Sequence, residues 1–125
     1  MVFKIRTSKK TMTIFEEISA STNYAPYILS KLSISLSIES NLPLSEVDFK
    51  TDTMGLELNR QTITAEWDLL YKSLIEVSEN RHIEDDEYFQ KYIKAHLDRG
   101  AKMLYSEFKY NRDLLLSLID DKNSI

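Results

Sequence analysis

The stretch VFKIRTSKKTMTIFEEISASTNYAPYILSKLSISLSIE, residues 2–39, predicts a strand, a helix, a tight turn and a second helix. In the strand, Phe3 and Ile5 alternate with the basic residues Lys4 and Arg6, which is the period of a half-buried strand. We therefore expect the side with Phe3 and Ile5 to face the core and the basic side to face solvent.

Two helices are predicted after the strand. Asn23 can adopt the left-handed conformation that ends the first, and Pro26 occupies a position favoured in the first turn of the second. The second helix is expected to reach about Glu39. Apolar residues at steps of three and four predict the buried sides of both helices. These residues are Met12, Phe15, Ile18, Ile28, Leu29, Leu32 and Leu36.

The following part of the chain predicts a loop over residues 41–53, a short extended piece at 56–58 and a helix over 64–79. Apolar residues at helical spacing predict one buried face for that helix. They are Trp67, Leu70, Tyr71, Leu74 and Ile75. The acidic residues 84–87 suit the positive end of the next helix dipole.

That next helix carries Tyr88, Tyr92 and His96 and reaches Gly100, which either ends it or kinks a longer one. A further helical stretch is predicted from Ala101 to about residue 119. We expect a mainly α protein with a short N-terminal strand, forming a single domain over residues 1–125. It would comprise a ribbon-helix-helix-like unit (1–39), a helical body (56–119) and a frayed tail (120–125).

Composition and motifs exclude several function classes. The chain has no cysteine, so disulfides, thiolate metal sites and covalent sulfur carriage on this chain are excluded, and a cytoplasmic location is expected. Neither a signal peptide nor an apolar run of about 18 residues is present. Glycine-rich phosphate loops and Gly-x-Ser-x-Gly are also missing. We therefore expect no cofactor, no membrane partner and no enzymatic activity.

The two histidines, His82 and His96, are too few for a typical metal centre. His82 lies near Asp85 and Asp86, but a histidine beside solvated carboxylates more commonly marks a helix start. No metal site is predicted.

The net charge of −4 is unevenly distributed. Residues 1–37 carry five basic and two acidic groups, giving +3, whereas residues 38–125 carry eleven basic and eighteen acidic groups, giving −7. Such asymmetry indicates a basic contact face on an acidic body, although a chance imbalance in a short segment would look the same.

A basic strand followed by two helices is the order of a ribbon-helix-helix module, in which two chains pair their strands and enter a DNA groove. We expect the basic residues of this unit to bind phosphates, and Arg60 is a weaker candidate for the same role. These basic residues are Lys4, Arg6, Lys9, Lys10 and Lys31. The alternative is a strand paired within its own fold, with lysines that keep its edge soluble.

The aromatic residues allow two interpretations. They are suited to stacking on the bases of single strands. However, Trp67, Tyr71, Tyr88 and Tyr92 lie at helical spacing among leucines, so core packing is the preferred prediction.

Three segments together resemble the DndE family of DNA sulfur-modification proteins. Residues 21–31, STNYAPYILSK, resemble the family's Thr-Gly-x-Thr-Pro-Asn-x-Leu-x-Arg. Residues 59–71, NRQTITAEWDLLY, are similar to Asn-Arg-x-Thr-x-x-Gly-Glu-x-Asp-x-x-Tyr, and residues 96–100, HLDRG, match His-x-x-Arg-Gly. The resemblance implies a structural role for the matched residues Asn59, Thr62, Glu66, His96, Arg99 and Gly100. Order and spacing agree from about Phe3 to Leu104.

The chain departs from the family pattern at several positions. Asn23 stands in place of the turn glycine and Tyr27 in place of the asparagine after proline. Lys31 replaces the usual arginine, and Ala65 replaces a glycine. These departures affect the turn and its expected DNA contacts.

The resemblance implies a helical homo-oligomer that binds double-stranded DNA, with a preference for nicked duplex. It also implies partnership with the other sulfur-modification proteins, which place sulfur in the DNA backbone. Three alternatives remain. These are a ribbon-helix-helix transcriptional regulator, an assembly subunit that does not touch DNA, and a nicking nuclease.

Overall fold

Local sequence signals account for the first three elements of the computed structural model, which describes residues 2–110. Strand β1 spans Lys4–Arg6, helix α1 spans Lys9–Thr22 and helix α2 spans Pro26–Glu39. Asn23 takes the left-handed conformation (φ 64°) and ends α1, while Pro26 begins α2, as predicted. The mainly α fold with an N-terminal strand is confirmed.

The strand β1 pairs with a strand of its own chain. Its partner is β2 (Glu57–Asn59), and the two run antiparallel with Ile5 opposite Leu58. Ile5 is buried as predicted, but the prediction for Phe3 is wrong. Phe3 precedes the strand and is 60% exposed. The described ribbon is therefore formed within one chain, as the alternative interpretation required.

Apart from β2, the described residues after α2 are mostly helical, with short irregular connections. The predicted loop contains a 3-10 helix at Glu46–Lys50, and a second 3-10 helix lies at Ala65–Trp67. The α-helices after β2 are α3 (Arg60–Ile63), α4 (Asp68–Glu79), α5 (Asp85–Glu87) and α6 (Lys94–Tyr110). A π-helical section at Tyr88–Ile93 joins α5 to α6.

Gly100 lies inside α6 and does not end it. A Cβ at this position would be 1.7 Å from the carbonyl oxygen of Ser33, so the backbones of α2 and α6 approach closely here. This close approach explains why the position needs a residue without a side chain. The predicted parts of the helix beyond residue 110, and the predicted tail at 120–125, lie outside the described residues.

The core forms one cluster between α2, α6 and the elements around them. Its largest fully buried side chains include Phe15, Leu29, Phe89 and Leu97. Tyr88 and Tyr92 are buried, in agreement with the core-packing interpretation. The predicted buried face of the helix over residues 64–79 is wrong, because only Ile75 of its five residues is buried.

Candidate nucleic-acid interface

The outer face of the β1–β2 ribbon carries Lys4 and Arg6. Both are exposed, while the intervening Ile5 faces the core. Residues directly opposite in an antiparallel pair share a face, so Glu57, opposite Arg6, and Asn59, opposite Lys4, lie on the same side. The ammonium of Lys4 is 3.9 Å from Glu57, and both side chains are largely exposed. An exposed pair of this kind is weak and leaves Lys4 available to a phosphate.

Lys9 and Lys10 extend this basic surface at the start of α1. Both are exposed, and Ser8 caps the helix by accepting a hydrogen bond from the backbone N–H of Thr11. The segment before β2 borders both parts of the surface. The guanidinium of Arg6 donates to the carbonyl of Gly55, and the backbone N–H of Lys9 donates to Asp52. We call Lys4, Arg6, Lys9 and Lys10 the basic ribbon face.

Two carboxylates moderate the charge of the basic ribbon face. Glu57 lies on the ribbon, and Asp52 lies beside Lys9. Backbone N–H groups of Met54 and Lys9 stabilise charged Asp52 and hold its pKa below the usual value. Four cations against these two carboxylates leave the face positive.

The backbone N–H groups of Ser8 and Lys9, at the start of α1, are bonded to carboxylates of the protein. Asp98, which is buried, accepts from the N–H of Ser8 at 3.1 Å and from the hydroxyl of Thr11 at 2.7 Å. It also accepts from Thr51 and pairs with Lys94 at 2.7 Å. Asp98 therefore occupies the anion position at this helix start, and phosphates are left to the lysine and arginine side chains.

Sequence reasoning missed Asp98, although a signal was present. It lies in the predicted helix, and Lys94 precedes it by four residues. That spacing places the two side chains on one side of a helix.

Lys31 lies apart from the basic ribbon face. It is half-buried in the second turn of α2, with its ammonium 5.7 Å from the ring centroid of Tyr27. The second turn of α2 comes shortly after the C-terminal end of α1, whereas Lys9 and Lys10 are at the N-terminal end of α1. These two ends of the 14-residue helix are about 20 Å apart.

Arg60, the weaker candidate for a DNA contact, has a side chain that is only 7% exposed. Its guanidinium makes two hydrogen bonds to Asp85, one to Asp68 and one to the carbonyl of Val2. It also lies 4.9 Å from the ring centroid of Phe89. The hydrogen bonds to Asp85 raise the pKa of Arg60 and lower that of Asp85. Arg60 thus joins the ribbon to α4 and α5.

The other motif residues near Arg60 organise the local backbone. Asn59 caps α3 by accepting from the N–H of Gln61, and its carbonyl accepts from the hydroxyl of Thr62. Glu66 is exposed in the turn before α4. Asn59 and Thr62 therefore have roles in the geometry of the turn after β2.

Arg99 binds the end of α2. Its guanidinium donates to the hydroxyl and carbonyl oxygens of Ser37 and to the carbonyls of Leu42 and Pro43. A cation at the C-terminus of a helix satisfies carbonyls that have no partner within the helix. Arg99 consequently fixes the loop that leaves α2.

His96 is buried beside the same serine. Its Nδ1 is 2.8 Å from the hydroxyl oxygen of Ser37, while its Nε2 has no hydrogen-bond partner. Burial, and secondarily the charge of Arg99, lowers the pKa of His96 to about 4. The neutral ring is therefore the form present in the fold at neutral pH.

Residues 2–110 contain neither a cluster of metal-binding side chains nor a helix that could span a membrane. Among these residues, no three or more histidine or carboxylate side chains gather where they could bind a metal ion. In the same part of the chain, no helix combines the length and hydrophobicity needed to cross a bilayer.

A family model described as DNA sulphur modification protein DndE matches residues 4–112. The chain belongs to the DndE family. The match extends beyond Leu104, where the agreement of the sequence motifs ended. It includes the basic ribbon face and all the motif residues discussed above.

Solved DndE structures share the fold. A crystal structure of DndE from Escherichia coli B7A, involved in DNA phosphorothioation modification, has a TM-score of 0.65 at 19% identity. The alignment covers 83% of this chain and 97% of that one. A DndE mutant involved in DNA phosphorothioation gives a TM-score of 0.62 at 19% identity, with coverages of 82% and 97%. No curated protein matches the chain.

Proposed function

We propose that this DndE-family chain is a non-catalytic subunit of the DNA sulfur-modification machinery. It holds double-stranded DNA, intact or nicked, for partner enzymes that carry out the chemistry. The observation that supports this proposal is the basic ribbon face, where Lys4, Arg6, Lys9 and Lys10 are exposed within seven residues. Phosphate contacts position a protein on a duplex without reading its sequence, and they require cations of this kind.

The family membership supports the choice of machinery. The solved DndE structures are described as involved in DNA phosphorothioation. Because this chain has no cysteine, persulfide sulfur would have to be carried by another protein. We therefore propose the other sulfur-modification proteins as its partners and DNA positioning as its contribution.

An assembly subunit that never touches DNA is the second candidate. The observation that favours it is the −7 charge of residues 38–125, which suits docking to a basic protein. The pairing of β1 within its own chain gives less support to a ribbon-helix-helix regulator, whose DNA-reading ribbon comes from two chains.

Fluorescence anisotropy with labelled intact duplex, nicked duplex and single-stranded DNA tests the proposal. We expect both duplexes to bind more tightly than the single strand, and the nicked duplex more tightly than the intact one. The double variant Lys4→Gln/Arg6→Gln should weaken duplex binding. The charge-matched control Lys72→Gln/Lys91→Gln alters two lysines outside the basic ribbon face and should bind as the wild type does.

Three other results would contradict the proposal. If the protein bound no DNA at low salt but still bound a sulfur-modification partner, the assembly subunit would be favoured. Strong preference for one palindromic site over random duplex would favour the regulator. Relaxation of a supercoiled plasmid in magnesium by the pure protein would favour the nicking nuclease.

A further inference from the structure

Helix α4 is anchored to the rest of the protein at its two ends and by one core residue. Asp68 at its start accepts a hydrogen bond from Arg60, and Glu79 at its end accepts one from the backbone N–H of Leu44. Between these ends, Ile75 is the one residue of α4 that is buried. An ordinary surface helix turns a wide apolar stripe toward the core, so most apolar residues of α4 are left for another contact.

These apolar residues are exposed on one half of the helix circumference. They are Trp67, directly before the helix, and Leu69, Leu70, Leu74 and Val77, and we call this surface the α4 outer face. Leu69 is 83% exposed and Val77 is 80% exposed. Together the five side chains expose on the order of 600 Å², the upper end of the range for the largest patch on a monomer. A patch of this size indicates a surface that binds another molecule.

The segment that carries the α4 outer face is acidic. Residues 64–87 contain eight acidic and two basic residues, giving −6. Arg81, one of the two basic residues, already pairs with Glu87 at 3.1 Å. Arg60, from outside the segment, binds two of the carboxylates and adds one positive charge, which leaves −5. The apolar patch therefore lies in a negative field.

Two carboxylates lie beside the apolar residues themselves. Glu66 directly precedes Trp67 and is exposed, and Glu76 directly precedes Val77. The backbone N–H of Ile83 donates to Glu76 and lowers the pKa of its carboxyl, so Glu76 is charged at neutral pH. Both ends of the α4 outer face thus have a negative charge next to the apolar surface.

We propose that the α4 outer face binds a basic amphipathic helix of a partner protein. The apolar side of that helix packs on Leu69, Leu74 and Val77, and its lysines or arginines pair with Glu66 and Glu76. This proposal rests on the proposed function, which gives the chain protein partners in the sulfur-modification machinery. It adds the surface that such a partner uses and the chemistry that the surface recognises.

Charge selects this occupant over two others. DNA phosphates are repelled by the acidic segment, and a second copy of the chain would bring the same negative charge to the same surface. A basic helix brings the opposite charge and covers the apolar residues. The hydroxyl of Ser73 donates to the carbonyl oxygen of Leu69 at 2.8 Å within α4, so the polar residue in the middle of the surface needs no partner from that helix.

Binding of a synthetic helix to the full chain tests the proposal by fluorescence anisotropy. The probe is a labelled amphipathic peptide of leucine and lysine. We expect it to bind more tightly than a peptide with glutamate in place of lysine, because the surface is acidic. It should also bind more tightly than a leucine–lysine peptide of the same composition whose leucines share no face. Equal binding of the amphipathic peptide and either comparison peptide would overturn the proposal.

Substitutions place the binding on the α4 outer face. Leu69→Ser/Val77→Ser should weaken binding of the leucine–lysine peptide at least about tenfold, and Glu66→Gln should reduce the salt dependence of that binding. Leu42→Ser/Val47→Ser is the matched control, because Leu42 is 63% and Val47 73% exposed between α2 and β2. The control should bind the peptide as the wild type does. Unchanged binding by Leu69→Ser/Val77→Ser would overturn the proposal.

Retention of purified sulfur-modification proteins separates this proposal from the proposed function. At least one of them should be retained by the wild type and lost by Leu69→Ser/Val77→Ser, while duplex DNA binds that variant as it binds the wild type. If no partner depends on the α4 outer face, the proposal fails and the DNA-binding role stands. If the wild type binds no DNA but a partner depends on this face, the DNA-binding role fails and the proposal stands. A variant that loses only association between copies of the chain in sedimentation velocity would assign the face to a second copy and overturn the proposal.

Discussion

The carboxylate of Asp98 accepts a hydrogen bond from the backbone N–H of Ser8, 90 residues earlier in the chain. The bond joins the start of α1 to α6 and supplies the negative charge that a helix N-terminus favours. The protein thereby satisfies its own helix start, and the cations at that end remain as the groups that can bind phosphate.

Asp98→Ala should lower the free energy of unfolding by about 3–5 kcal/mol, because it leaves the buried ammonium of Lys94 without its carboxylate. Urea denaturation measures this change. Asp52→Ala is the control, since Asp52 also accepts from a backbone N–H of α1 but is exposed. Its loss should cost much less than the loss of Asp98. Equal losses for the two variants would show that Asp98 acts only as an ordinary helix cap.

Arg60→Met should destabilise the fold by about 1–3 kcal/mol, because it removes the hydrogen bonds that the buried guanidinium donates to the partly exposed carboxylates of Asp68 and Asp85. Arg6→Met removes an exposed arginine and should cost less than about 1 kcal/mol. Urea denaturation separates the two variants. If Arg60→Met were the milder change, the structural role assigned to Arg60 would be wrong.

His96 makes stability depend on pH in a defined direction. The pKa of His96 is about 4 in the fold and 6.5 for an unperturbed histidine. Between these values the unfolded chain binds more protons, so stability is complete above about pH 6.5 and falls as pH drops toward 4. The full loss is about 3 kcal/mol.

Comparison with His96→Gln isolates this contribution from the carboxylates that titrate in the same range. The difference in unfolding free energy between wild type and His96→Gln should shrink by about 3 kcal/mol as pH falls from 7.5 to 4. A difference that is constant with pH would contradict a neutral buried His96.

Gly100→Ala should destabilise the protein, although alanine is normally preferred over glycine inside a helix by about 1 kcal/mol. The new Cβ would lie 1.7 Å from the carbonyl oxygen of Ser33, so the backbones of α2 and α6 would have to separate. We expect the free energy of unfolding, measured by thermal denaturation, to fall by about 1–3 kcal/mol or more. Ser106→Ala, exposed on α6, should change stability little. A gain of stability for Gly100→Ala would contradict the close helix contact.

Features decided by local chemistry could be predicted from the sequence. Asn23 and Pro26 mark the end of α1 and the start of α2 because left-handed backbone and the fixed proline ring act within a few residues. The exposure of Lys4 and Arg6 followed from the two-residue period of the strand.

Features decided by distant partners could not be predicted in the same way. The strand partner of β1 lies more than fifty residues away, and the burial of Arg60 depends on Asp85, which belongs to another helix. The apolar spacing of residues 64–79 correctly indicated a helix. It could not tell which of the apolar residues meet the core, because buried and exposed apolar residues give the same period.

If the basic ribbon face contacts DNA phosphates, DNA binding should weaken with salt in proportion to the number of its cations that take part. The slope of the logarithm of the DNA-binding constant against the logarithm of the salt concentration reports how many cations of the protein replace counterions on the DNA phosphates. Lys9→Gln/Lys10→Gln should reduce the magnitude of the slope by about 2 for duplex DNA, while Lys72→Gln/Lys91→Gln should leave it unchanged. An unchanged slope for Lys9→Gln/Lys10→Gln would contradict that contact.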